Sequence, residues 1–316
     1  MDPLAPGYGA LLLLAGIVML MLGSSWLVDG ASRLALRLGV TPMVVGLTVV
    51  GFGTSMPEFT VSLLASLHGS GGLSLGNAVG SNIMNLLLVL GLAAVLAPIR
   101  LGSGRGTLRR DLAFGVIPAL ILMAAAWRGR LDRGPALLLI AVFAVFLILC
   151  VHGARGDRGR AAVDTGKLGR HLVLTTAGIA LLVAGADLMV RGGVSLAHAM
   201  GVSDAVIGLT LVAFGTSLPE LATSVTATLK GQADLSVGNV LGSNVFNLGL
   251  IVGTAFTVRP APVPVFVVHQ DVPILVGMSL VVGIGVLRRG RISRGGGLAM
   301  LAAFATYIAY LVIRGG

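Results

Sequence analysis

An all-α membrane fold of ten transmembrane helices, built as two inverted-topology five-helix repeats with broken helices where the halves meet, is predicted by three features of this 316-residue chain. Its composition is 56% apolar and only 11% charged, with a mean hydropathy of +0.99. A soluble domain carries roughly a quarter charged residues, and this chain has too few to cover so large an apolar core. The apolar residues fall into runs able to cross ~30 Å of hydrocarbon as helices. A segment of the first half then recurs in the second. The single cysteine, Cys150, excludes a disulfide scaffold and reads as a small core residue.

The runs lie at about 8–29, 40–67, 73–99, 112–127, 134–152, 171–190, 202–229, 235–258, 272–287 and 296–313. No basic residue occurs between Met1 and Gly9, so the first run is expected to be a retained span and not a cleaved signal. The second, third, seventh and eighth runs are long and interrupted by Gly, Pro and polar residues. The net charge of +10 comes from 22 Lys+Arg against 12 Asp+Glu. These basic residues sit between apolar runs, so the expected partner is the lipid bilayer and not nucleic acid. Alternate loops, counted from the one after the first run with Arg33 and Arg37, hold 16 of the 22 basic residues. That bias predicts both termini outside and a cytoplasmic central loop. The expected organisation is a first repeat over 1–154, a linker over 155–170 and a second repeat over 171–316.

An offset of 162 residues aligns Gly46–Asn85 with Gly208–Asn247 without gaps, and 22 of the 40 positions are identical. Chance matching of aliphatic residues does not pair GFGTSMPE with AFGTSLPE, or LSLGNAVGSNIMN with LSVGNVLGSNVFN. Five spans per half is odd, so the second half must enter the membrane in the opposite sense. In such inverted repeats the site lies near the midplane, at broken helices where the halves meet. The only glutamates, Glu58 and Glu220, occupy equivalent positions there, as do all six asparagines: Asn77, Asn82, Asn85, Asn239, Asn244 and Asn247. Intramembrane carboxyls repeated in this way point to function.

Thr54, Glu58, Ser62 and Ser66 are spaced by four, as are Thr216, Glu220, Ser224 and Thr228, which stacks each set on one helix face. Pro57 and Pro219 lack an N–H and release the carbonyls of Gly53 and Gly215. The donors are carboxylate, hydroxyl, amide and backbone oxygens, a set suited to hard cations such as Ca²⁺, Na⁺ or Mg²⁺ and not to Zn²⁺ or copper. Two carboxylates neutralise one Ca²⁺, and Na⁺ or protons can answer the same charge. Gly76-x-x-x-Gly80 and Gly238-x-x-x-Gly242 are expected to let the third and eighth spans approach their neighbours closely.

The paired G-T-S-x-P-E and G-N-x-x-G-S-N-x-x-N segments, in two inverted halves, resemble the two alpha repeats of the calcium/cation antiporter superfamily, especially prokaryotic sodium/calcium exchangers. The resemblance covers the whole ten-span plan. It implies that Glu58 and Glu220, with Thr54 and Thr216, form a Ca²⁺ site. It further implies that Ser55, Ser217, Ser81 and Ser243 contribute to flanking Na⁺ sites, and that Asn85 and Asn247 complete the middle. Some relatives, including potassium-dependent branches, carry Asp in place of Asn247. Two asparagines resemble the potassium-independent pattern.

The resulting expectation is an antiporter that exchanges Na⁺ for Ca²⁺ by alternating access in a prokaryotic cytoplasmic membrane, with the first and sixth spans moving. The ions are bound as substrates, no cofactor is called for, and one chain suffices. A proton/Ca²⁺ exchanger and a cation channel are the alternatives. The hydroxyls favour Na⁺ over protons, and the inverted halves favour a carrier over a channel. An intramembrane enzyme would need a nucleophile–base pair or a hydrolytic metal set, and the sequence offers neither. His68, His152, His171, His198 and His269 read as interfacial polar residues. Asp187 and Arg191 are expected to pair along the sixth span in a structural role.

Overall fold

A computed structural model describes residues 6–100, 105–127, 129–156, 168–199 and 213–315. The first half runs α1 (Pro6–Leu38), α2 (Pro42–Thr54), α3 (Met56–Leu67), α4 (Gly71–Leu96), α5 (Arg105–Ala126) and α6 (Arg133–Gly156). The second half runs α7 (Leu168–Ala199), α8 (Ala213–Thr216), α9 (Leu218–Leu229), α10 (Ala233–Val258), α11 (Val267–Arg289) and α12 (Arg294–Gly315). Among the described residues, α1, α4, α6, α7, α10 and α11 are each long and apolar enough to cross a membrane. Together α2 and α3 form a seventh such span across a 49° bend. The remaining runs are occupied by α5, by α8 with α9, and by α12. Part of the expected linker, 157–167, and the start of the seventh run, up to 212, lie outside the described residues.

The first helix continues nine residues beyond the expected end at 29, so Arg33 and Arg37 lie on α1 and not in a loop. Nothing in GASRLALRL breaks the helix until Gly39, whose φ of 66° supplies the left-handed turn, and Pro42 then opens α2 behind the capping Thr41. His171 also departs from its interfacial reading. It is buried near the start of α7, because α1 packs directly over it.

The two halves interlock at their edges. Strand β1 (Ile99–Arg100), which follows α4, pairs antiparallel with β4 (Arg291–Ile292), which precedes α12. Strand β2 (Arg130–Leu131) pairs in the same way with β3 (Ala261–Pro262), which follows α10. Each two-residue clip therefore joins one repeat to the other, and the two clips are separated in sequence by single helices, α5 and α11. Between the clips, α10 is 94% buried along its apolar window and α4 72%, against 28% for α6, α7 and α11. The centre of the molecule is thus α4 and α10, and the outer helices present apolar side chains such as Leu11, Leu14 and Val173 outward.

Helices α1 and α7 pack along a seven-residue glycine register absent from the sequence expectations. Gly9, Gly16, Gly23 and Gly30 on α1 meet Gly192, Gly185, Gly178 and the His171–Thr175 turn on α7. A Cβ added at Gly16 would sit 2.7 Å from the carbonyl oxygen of Gly185, and one at Gly178 would sit 2.6 Å from the amide of Leu27. Backbone thus lies against backbone along the whole contact, which small residues permit in membranes. At Gly238 a Cβ would lie 2.5 Å from the carbonyl oxygen of Met43, so α10 is pressed equally hard onto α2. The equivalent neighbours of Gly76 and Gly80, residues 205–209, lie outside the described residues.

Overpacking of this register is expected to destabilise the protein by about 1–3 kcal/mol. Gly16→Ala should therefore lower the melting temperature of the purified protein. Gly115→Ala on α5, where an added Cβ meets nothing within 4 Å, should leave it unchanged or higher. Equal melting of the two variants would contradict the backbone contact.

Candidate cation site

The site is built where α2 breaks before α3 and α8 before α9. Ser55 (φ −84°, ψ 8°) and Ser217 (φ −95°, ψ 8°) leave helical geometry, and the prolines two residues on, Pro57 and Pro219, occupy the first turn of the new helices. An N–H is unused in that turn, so proline fits there while it ends the helix before it. One residue further, Glu58 and Glu220 stand in the first turns of α3 and α9, at the positive end of each helix dipole. Both are fully buried.

Each carboxylate is held from the other repeat. Ser217 Oγ donates to Glu58 Oε1 at 2.8 Å, and Ser55 Oγ donates to Glu220 Oε1 at 2.9 Å. Ser243 Oγ adds a contact of 3.3 Å to Glu220 Oε1, and Ser217 Oγ lies 3.3 Å from Ser81 Oγ. Thr54 Oγ1 donates to Asn239 Oδ1 at 3.1 Å, and Thr216 ends α8 beside Ser217. All ten expected ligand positions (Thr54, Ser55, Glu58, Ser81, Asn85, Thr216, Ser217, Glu220, Ser243 and Asn247) are buried, with Thr216 the most exposed at 9%.

Asn85 and Asn247 each open a five-residue π turn, Asn85–Val89 in α4 and Asn247–Ile251 in α10. Such single π turns re-aim side chains within a helix and are frequent at functional sites. Their orientation is set by a pair of residues absent from the expected site, Asn82 and Asn244. Asn85 Nδ2 donates to Asn244 Oδ1 at 3.2 Å, and Asn247 Nδ2 donates to Asn82 Oδ1 at 2.9 Å. Asn82 and Asn244 in turn donate to each other's backbone carbonyls, at 2.9 and 3.4 Å. The cross-repeat clasp consumes the amide nitrogens and leaves the amide oxygens of Asn85 and Asn247 uncommitted. Asn77 and Asn239 act nearby, each tying its glutamate's backbone carbonyl to Ser62 or Ser224. The signal for the clasp was in the sequence: Asn82 and Asn244 sit three residues before Asn85 and Asn247, within the same repeated motif.

Among the ten expected ligand residues, four buried oxygens are left without a hydrogen-bond partner: Glu58 Oε2, Glu220 Oε2, Asn85 Oδ1 and Asn247 Oδ1. They form two repeat-related pairs. Among the described residues neither glutamate makes an ion pair. Buried acceptors normally find donors, and a buried carboxylate that lacks one needs a positive charge. Two carboxyl and two amide oxygens, ringed by hydroxyls, match the ligand preference of a hard cation.

Comparisons with known proteins agree with this chemistry. A family model described as sodium/calcium exchanger protein matches residues 8–151 and 170–313. The putative antiporter CaxA of Alkalimonas amylolytica is 36% identical over 310 residues, covering 93% of this chain and 95% of that protein. The sodium/calcium exchanger MaX1 of Methanosarcina acetivorans is 30% identical over 346 residues, covering 96% and 97%. The solved structure of the sodium-calcium exchanger NCX_Mj soaked with zero Na⁺ and Ca²⁺ superimposes with a TM-score of 0.86 at 32% identity, covering 97% of this chain and 100% of that one.

The clasp makes a prediction of its own. Partners that orient a metal ligand typically matter ten- to a hundredfold in affinity, so Asn244→Leu should weaken Ca²⁺ binding to the purified protein by about tenfold. In an Asn85→Leu background the same substitution should cost little more, because Asn244 acts through Asn85. Calorimetric titration of both single variants and the double tests this, and fully additive losses would separate the two residues.

Proposed function

The chain belongs to the sodium/calcium exchanger protein family, and from that premise we propose that it is a secondary antiporter exchanging Na⁺ for Ca²⁺ by alternating access. The observation that carries this reading is the set of four unpartnered oxygens shared between the repeats. One Ca²⁺ balances Glu58 and Glu220 and takes the free oxygens of Asn85 and Asn247 as further ligands. When Ca²⁺ leaves, the carboxylates are again without counter-charge, so its departure is favoured when Na⁺ replaces it. Ser55, Ser217, Ser81 and Ser243 can rotate their hydroxyl protons away and offer lone pairs. Thr54 and Thr216 stand beside them at the helix breaks. Oxygen ligands of this kind suit Na⁺ and would be unnecessary for a proton. No resident cofactor enters the scheme, and a single chain contains every group it uses.

The alternating-access part of the reading is supported by the placement of α1 and α7. Ile179 and Val190 of α7 lie over Gly53 and Gly215, the residues just before Thr54 and Thr216, so α7 covers both helix breaks. At one end, α1 is fastened to α9. Ser24 Oγ lies 2.9 Å from Thr226 Oγ1, and Lys230 Nζ contacts Ser25 Oγ and Asp29 Oδ1, both at 2.8 Å. The equivalent residues of α7 make no such link among the described residues, since Arg191 pairs with Asp187 on its own helix at 2.9 Å. A cover that is symmetric along its own contact is thus docked asymmetrically on the site. That is the arrangement an element with two alternative positions requires. In this reading the face carrying Lys230 and the β1–β4 clip is cytoplasmic, because it holds the greater basic charge.

Proteoliposomes loaded with Na⁺ should accumulate ⁴⁵Ca²⁺ against Na⁺-free medium, and a pH gradient without Na⁺ should not drive uptake. Glu58→Gln and Glu220→Gln should each abolish the Na⁺-driven flux. Uptake that follows pH and ignores Na⁺ would assign the counter-ion to protons. Full flux in either glutamine variant would remove the carboxylates from the site.

A further inference from the structure

The two clips that join the repeats are equivalent in backbone but opposite in chemistry. At the β2–β3 clip the arginines are partnered within the protein. Arg130 pairs with Asp132 at 2.7 Å, Arg133 donates to the carbonyl oxygen of Thr257 at 3.1 Å, and the neighbouring Arg259 donates to that of Leu67 at 2.6 Å. At the β1–β4 clip the register sets Arg100 directly opposite Arg291. Arg288 and Arg289 from the last turn of α11, and Arg294 from the first residue of α12, flank the same short strand. All five are exposed, and none makes an ion pair or side-chain hydrogen bond among the described residues.

Like charges placed directly across a strand pair repel. Acidic residues are scarce near the clip: residues 59–110 and 272–316 contain no Asp or Glu, and Asp111 of α5 follows three arginines of its own helix, Arg105, Arg109 and Arg110. The neutralising charge must therefore come from outside these segments. Ile99 and Ile292, paired in the same clip, are buried in the core at 0% and 4% exposure. The arginines thus stand exposed on the outer side of the clip, where the apolar helices α4 and α11 end and α12 begins.

We propose that the β1–β4 clip is a binding site for the phosphate of an anionic phospholipid, held by Arg100 and Arg291 with Arg288, Arg289 and Arg294 around it. Guanidinium groups bind phosphate oxygens in two-pronged fashion, and two of them facing each other can share one phosphate. The bound headgroup turns the repulsion within the clip into a bridge between the first repeat and the second. The β2–β3 clip, already satisfied by Asp132 and by backbone carbonyls, has no such need.

The test is retention of lipid by the whole protein, purified from vesicles of mixed phosphatidylcholine and phosphatidylglycerol, washed in detergent and weighed by native mass spectrometry. Wild type should retain phosphatidylglycerol in preference to phosphatidylcholine. Arg100→Gln with Arg291→Gln should lower that retention by about tenfold or more, from the contribution of each basic residue near an anionic surface. Arg130→Gln with Arg133→Gln should leave it intact, as should the charge-keeping Arg100→Lys with Arg291→Lys in larger part. Circular dichroism of each variant confirms that the helices are folded before lipid is counted. Retention unchanged by Arg100→Gln with Arg291→Gln would overturn the proposal, as would equal loss in the β2–β3 variant. It would also fall if inorganic phosphate or an oligonucleotide displaced the lipid at matched charge concentration. None of these outcomes depends on which ions the central site transports.

Discussion

Two carboxylates buried side by side in a membrane protein, without a cation among their described neighbours, set the terms for the rest of this structure. The effective cost of burying one ion is several kcal/mol. Against this, one hydroxyl bond to a charged acceptor contributes about 1.5–3 kcal/mol, and a helix N-terminus up to about 2 kcal/mol in a partly buried setting. Glu58 and Glu220 each receive both kinds of help, from Ser217 and Ser55 and from the first turns of α3 and α9. Each is still left with one oxygen that nothing donates to. Stabilisation by the protein is therefore partial, and the remainder can be met by a mobile cation. An ion that completed a fully satisfied site would bind without leaving. One that supplies only the missing part can exchange.

The surrounding architecture follows from the need to bring both repeats to one point. The serine that supports each glutamate belongs to the opposite half, so the halves must meet within hydrogen-bonding distance at the helix breaks. Large side chains would prevent this. The glycines of α10 let it touch the backbone of α2, and the asparagine clasp between α4 and α10 then fixes the relative rotation of the two central helices. The strand clips close the ends. Since every one of these contacts crosses between repeats, neither half has a complete site of its own.

Much of this was legible in the sequence, for physical reasons that differ by element. The spans were readable because hydrocarbon demands long apolar runs, and the pairing of Glu58 with Glu220 because a duplicated polar motif stands out against an aliphatic background. The breaks at Ser55 and Ser217 follow from Pro57 and Pro219. The clasp was less legible. An asparagine that orients a ligand and one that is a ligand look alike in sequence, and only the donor geometry separates Asn82 from Asn85. The α1–α7 contact is not legible, although its glycines recur every seven residues, because glycine is abundant throughout the chain (47 residues) and its spacing carries meaning only once a partner helix is known. The end of α1 is hidden in the sequence because Asp29 and Arg33 read as the edge of an apolar run. A helix does not stop at a charge, however, and this one continues to Gly39.

The internal repeat separates what the site needs from what each membrane face needs. Around the glutamates the two halves keep the same residues: Thr54 and Thr216, Ser55 and Ser217, Ser81 and Ser243, Asn85 and Asn247. The side chains at the junction bond across both halves at once, so a change in one would unbalance the other. Away from the junction the equivalence fails in charge as well as in shape. Lys230 stands where the first repeat has His68, and Asp29 stands where the second has Arg191. One clip has its arginines bonded within the protein, and the other leaves five arginines exposed. These positions each lie at only one end of the molecule, and α1 is fastened to α9 at one of those ends. An inverted duplication places identical chemistry on both faces, and a protein that works between two unlike compartments must then differentiate them. Symmetry is kept where a single ion is shared, and abandoned where the two faces differ.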